Sequence, residues 1–214
     1  MLAGNSVNFA FWYDAVECND SFCFGPFNIF VNSQLLLCNS EDNFTLNIIA
    51  SDLRRSFDRL DRLDELEPGF DVDEIFEKAM HTHGYQTKSD PVFPPSWWAH
   101  SDDRISKLLD VFIEIEAERR TDPPFGAELS MYVEISDKGW RFFLFKCGSK
   151  EVLLCSNDWG KTVHCYELPP GEVRYAVEEF LVVEHFPKTQ SLGRQEACER
   201  PGTSEGNTVS DSGE

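Results

Sequence analysis

Trp140–Leu168 reads WRFFLFKCGSKEVLLCSNDWGKTVHCYEL, and this stretch decides the fold. RFFLFKC, EVLLCS and TVHCYEL are short apolar runs rich in aromatic and β-branched residues, the composition of strands. Gly148-Ser149-Lys150 and Asn157-Asp158-Trp159-Gly160 separate them as tight polar turns. The upstream run AELSMYVEI, joined through Ser136-Asp137-Lys138-Gly139, adds a further strand, so the expectation is an antiparallel meander of four. PPGEVRYAVEEFLVV follows and opens a helix with proline near its first turn. Val173, Ala176, Val177, Phe180 and Leu181 form its apolar face.

Upstream, VNFAFWYDAV and FCFGPFNIFVN are strand-like and flank the polar turn CNDS, which predicts an N-terminal hairpin. Asn32-Ser33 then turns the chain into QLLLC. A helix follows on the stripe Ile49, Leu53, Ser56, Phe57, Leu60 and Leu63, with Asn47 or Ser51 as its cap and Pro68-Gly69 as its stop. A second helix opens on Asp71 with Glu74 three residues later, a capping-box spacing, and buries Val72, Ile75, Phe76, Ala79 and Met80. Residues 84–102 hold three prolines and no periodicity, which predicts a long inserted loop. A third helix is expected through Ile105, Leu108, Leu109, Phe112 and Ile113. Strands, helices, strands and a closing helix make an α+β domain, a mostly antiparallel sheet with helices packed on one side. That domain spans residues 1–186. Residues 187–214 carry few large apolar side chains and read as a disordered tail.

The 214 residues include 38 acidic and 19 basic side chains, a net charge of −19, of which −17 lies on residues 1–186. Nucleic acid and anionic membranes require basic surfaces and are excluded as partners, whereas a basic protein partner would be drawn in by such a field. No apolar stretch is long enough to span a bilayer, and the N-terminus lacks a signal-peptide pattern. Seven cysteines, an odd number at irregular spacing, read as reduced thiols in a cytoplasm, several of them small core residues.

Candidate chemistry is thin. Cys155-to-Cys165 brings Cys, Asp, His and Cys together, but on strand ends in an acidic chain nothing lowers a thiol pKa as a nucleophile requires. There is no CxxC pair for zinc, and His81 and His83 read as the end of a helix, where the dipole favours histidine. No metal or cofactor site is expected. The densest charge run holds Asp61, Asp64, Glu65, Glu67, Asp71, Asp73, Glu74 and Glu77. It reads either as a solvated helix–turn–helix face or as a docking patch for a Lys/Arg-rich surface. Trp97 and Trp98 in the long loop either fold back on the sheet or anchor an interface.

Several segments together resemble the immunity protein 42 family of bacterial polymorphic toxin systems. They are Gly4-Asn5 with Phe9-Ala10, the strand around Gly25, the run from Leu46 into a helix, and the Trp159-Gly160 turn followed by Leu168-Pro169-Pro170-Gly171-Glu172. The resemblance covers most of residues 1–186, weakens through 84–102 and ends before the tail. It implies a cytoplasmic antidote that binds and neutralises a cognate toxin and is not an enzyme. A general protein-interaction module without a toxin partner is the alternative, with an enzyme built on Cys155 and His164 a distant third.

Overall fold

The computed structural model describes residues 1–37, 43–87, 119–130 and 135–182. The expected loop from residue 88 onward, the helix through Ile105–Ile113, the middle of AELSMYVEI and the tail lie outside the described residues. The elements run β1 (Leu2–Asn5), β2 (Phe9–Tyr13), β3 (Glu17–Cys18), β4 (Cys23–Gly25), β5 (Phe27–Val31), β6 (Gln34–Leu35), β7 (Phe44–Thr45), α1 (Leu46–Leu60), α2 (Val72–Thr82), β8 (Ala127–Glu128), β9 (Arg141–Cys147), β10 (Lys150–Ser156), β11 (His164–Leu168) and α3 (Glu172–Val182). The class is α+β.

The N-terminal hairpin forms with Phe9 opposite Val31 and Tyr13 opposite Phe27, and it widens into a sheet of order β1-β2-β5-β6. Asn32 and Ser33 both take positive φ, the two-residue turn that matches strand twist, and place Gln34 opposite Val31. Phe9, Phe11 and Tyr13 alternate onto one face, where the Phe180 ring of α3 lies 5.6 Å from Phe11 and 4.8 Å from Tyr13. Gly4 sits where β1 passes closest to α3: a Cβ there would lie 2.6 Å from that of Ala176.

The meander has the order β8-β9-β10-β11. Its central strands are covered on both faces, one more than expected. Phe142, Leu144, Leu153 and Cys155 join the main core with α1, α3 and the N-terminal sheet. Phe143, Phe145, Val152 and Leu154, on the alternate positions, pack under Phe76, Ala79 and Met80 of α2. This explains why RFFLFKC is a continuous apolar run: both pleat directions are buried.

Three details depart from the sequence reading. Cys18 and Cys23 form a disulfide across the small β3–β4 hairpin, so the odd count hid one local pair. Asn47 does not cap α1. Thr45 leads from β7 straight into the helix, and the Asn47 side chain accepts from Cys23 N at 3.1 Å and donates to Ser21 O at 3.0 Å, bracing that hairpin. Finally, α1 stops at Leu60 rather than at Pro68-Gly69. The chain then runs beside β9, with Lys146 N–H donating to Asp64 O and Leu66 N–H to Lys146 O, and those strand-type bonds end the helix.

Candidate functional site

Asp61–Glu77 includes several acids that hold the chain together. Asp61, just past α1, pairs with Arg174 of α3. The Asp64 carboxylate accepts the Gly126 N–H at 2.7 Å and the Arg59 guanidinium at 3.2 Å, and that guanidinium also donates to Pro124 O at 2.7 Å. Glu65 pairs with Lys146 at 3.5 Å. Asp71 caps α2 by accepting from Glu74 N at 3.0 Å, as the spacing predicts. Glu67, Asp73 and Glu74 are exposed, and Glu77 is half-buried. Trp97 and Trp98 lie outside the described residues.

Asp73 and Glu77 stand one turn apart on α2 and form one wall of a shallow dent. Phe76, Met80, Thr87, Trp159 and Gly160 complete it. Trp159 belongs to the turn quoted at the outset, which marks a turn in sequence but not a surface. The turn is built by short side chains: Ser156 Oγ donates to Asp158 Oδ1 at 2.8 Å and accepts from Gly160 N at 2.9 Å, while Thr162 N donates to Asp158 Oδ1 at 2.8 Å. Slight burial pushes the Asp158 carboxyl up, but these hydrogen bonds outweigh it and hold it below its ordinary range.

Behind the dent lies a buried polar network with no local sequence signal. His83 places Nε2 at 3.1 Å from Gly126 O and Nδ1 at 3.2 Å from Glu128 Oε2, and Tyr85 OH donates to Glu128 Oε1 at 2.5 Å. Both His83 nitrogens face oxygen acceptors. Burial pushes the Glu128 carboxyl up. The hydrogen bond and charge of His83, the Tyr85 hydroxyl and Arg141 outweigh burial and hold it below its ordinary value. Arg141 stacks over the Tyr85 ring at 4.2 Å and the Trp159 ring at 5.1 Å.

In the meander, Cys155 lies opposite His164 and Cys165 opposite Leu154, so the two cysteines take opposite faces of the sheet. Burial, then the Cys165 sulfur, pushes the Cys155 thiol up to about 12. It is a protonated core side chain at neutral pH. His81 and His83 sit at the end of α2. Among the described residues, no helix is long and apolar enough to cross a membrane.

Comparison with known proteins places the chain. The crystal structure of CdiI from Burkholderia dolosa AUO158 is similar in fold, with a TM-score of 0.55 and 19% identity over 85% of this chain and 98% of that one. No curated protein is significantly similar to the chain. The family model described as Immunity protein 42 matches residues 1–182, from β1 to the last residue of α3. The chain therefore belongs to the immunity protein 42 family.

Proposed function

We propose that this immunity protein neutralises its cognate toxin by forming a stoichiometric complex that covers the toxin's active site or substrate surface, without turnover of its own. The observation that carries the reading is the family match across residues 1–182. Two features of the chain support the finer points. A net charge of −19, with Glu67, Asp73 and Glu74 exposed beside α2, suits a basic toxin surface and would speed its capture. The Cys155 thiol, pushed up to about 12 by burial, is unfit as a nucleophile, which speaks against an enzyme built on Cys155 and His164. The same acidity speaks against nucleic acid or an anionic membrane as the target. The cytoplasm is where such an antidote meets a toxin entering the cell.

Co-expression with the toxin-like C-terminal domain encoded beside this chain's gene tests the reading. The expected result is cell survival and a co-purifying complex of equal stoichiometry. Death of the cells with no complex formed would overturn it.

A further inference from the structure

Among the described residues, seven of the ten large apolar side chains left exposed lie in the first 35 positions. Two more, Tyr175 and Val182, stand on α3 in the open groove beside Met1 and Leu2. The tenth, Trp159, belongs to the meander, where at a φ of +62° its half-exposed indole packs on Arg141 and beside Gly139. Exposed apolar surface is therefore gathered on the N-terminal sheet, and such gathering on a folded domain marks a contact surface.

Alternation along one strand arranges this patch. Phe11 and Tyr13 enter the core and Ala15 packs against it, so Trp12, Asp14 and Val16 face outward. The ladder runs on past β2: Asp14 N–H donates to Pro26 O at 3.1 Å and Val16 N–H to Phe24 O at 3.0 Å, joining the sheet to the β3–β4 hairpin. Phe22, near the tip, lies beside Phe24 with ring centroids 6.0 Å apart. Every side chain from Val16 to Phe22 is exposed, yet the tip is pinned. The Cys18–Cys23 disulfide and the Asn47 amide hold its base. Asn19 Oδ1 accepts from Ser21 N at 2.9 Å and from Phe22 N at 2.8 Å within it. A projection fixed in advance loses little freedom when a partner covers it.

The same stretch carries Asp14, Glu17 and Asp20, all exposed, and no ion pair or hydrogen bond engages their side chains among the described residues. No Lys, Arg or His precedes Arg54, so nothing in that length of chain offsets them. An apolar centre with an acidic fringe suits a partner that is apolar at its middle and basic at its rim. A second copy of this chain fits poorly, because a two-fold contact on this face would set these acids against their own mates. We infer that the toxin is held on the outward face of the N-terminal hairpin, from Trp12 to Phe22. Trp12, Val16 and Phe22 form the apolar centre of the contact, and Asp14, Glu17 and Asp20 meet lysine or arginine side chains of the toxin. This inference rests on the reading of the chain as a toxin-binding immunity protein and specifies where on its surface the toxin is held.

The test measures affinity for the neighbour-encoded toxin domain, catalytically inactivated, by calorimetry, with thermal melting of each variant alongside. Val16→Arg is the decisive variant. At 71% exposed, Val16 carries little of the fold, whereas arginine there sets a bulky cation in the middle of the patch. The expected result is binding weakened about thirtyfold with an unchanged melting temperature. Asp14→Asn, Glu17→Gln and Asp20→Asn together are expected to weaken binding about tenfold at low salt, with a smaller deficit at about 0.5 M salt. Val7→Ser, exposed in the β1–β2 turn at the other end of β2, is the control and is expected to bind within about twofold of the parent. Sedimentation of the parent chain alone is expected to show a monomer. A dimer that Val16→Arg dissolves, with toxin affinity intact, would give this face to a second copy and overturn the inference. Parent-like toxin binding by Val16→Arg would overturn it too and leave the immunity reading standing. A parent chain that does not bind the toxin at all would overturn both.

Discussion

Asp64 and Glu74 belong to one acidic run and look alike in sequence, yet they do opposite work. Asp64 faces inward, where its carboxylate gathers the Gly126 N–H and the Arg59 guanidinium and ties the end of α1 to the bend just before β8. Glu74 faces water on the first turn of α2, its side chain contributing only charge near a helix N-terminus. The difference is set by what the fold brings near. Gly126 is 62 residues away from Asp64 in sequence, while Glu74 stays exposed. An acid run is therefore a poor guide to a binding face until its internal members are subtracted. Of the run, Glu67 and Glu74 remain as exposed side chains on the surface.

The inward class is broken most severely at Glu128. Glu128→Gln removes the carboxylate that the His83 ring and the Tyr85 hydroxyl share, and the cost expected at neutral pH is about 3 kcal/mol, read from urea denaturation. The Glu128 carboxyl is held below its ordinary value in the fold, so its contribution is complete above the unfolded value near pH 4.3 and is lost as pH falls through the lowered one. The gap between parent and Glu128→Gln should accordingly close below about pH 4. A gap that stays constant with pH would show that shape, not charge, holds the network. Asp64→Ala comes next, at about 2 kcal/mol, because it leaves the Gly126 N–H without its acceptor and Arg59 without its carboxylate. An unchanged denaturation midpoint would move Asp64 into the outward class.

Much of this was legible beforehand, and the misses share one cause. FAFWY and RFFLFKC declare strands by composition, and the glycine- and asparagine-bearing turns between them set the meander's order. Asp71 with Glu74 declares a helix start through a bond only three residues long. What escaped is tertiary. Asn47 looks like a cap until the β3–β4 hairpin, more than twenty residues upstream, claims its amide. His83 looks like a helix-end residue, as it is, but its carboxylate partner Glu128 comes from the far side of the undescribed segment. Cysteine parity over the whole chain says nothing about one pair, Cys18 and Cys23, facing each other across a hairpin. Trp159 was visible as a turn residue and a family marker. Its half-exposed indole and positive φ depend on Gly139 and Arg141, which lie on other strands and turns.

Asp71 sharpens the comparison from the middle. Its side chain is exposed yet engaged, capping α2, so Asp71→Ala should cost about 1 kcal/mol of stability. Urea denaturation reads the loss, and an unchanged midpoint would place Asp71 with the acids that contribute charge alone.

The smallest effect on the fold should come from Glu67→Gln with Glu74→Gln. Both side chains are exposed and the change keeps their size, so stability should move by no more than about 0.5 kcal/mol. Their charges still act on an approaching partner through water. The expected signature is slower association with the toxin domain at low salt, nearly unchanged dissociation, and convergence with the parent as salt rises. Stopped-flow association over a salt series reads this directly. A change confined to dissociation would mean that these two acids touch the toxin. A loss of stability would mean that they belong with Asp64 after all. The outward class is thus defined by a kinetic property, charge that guides without holding, which no inspection of the folded chain alone supplies.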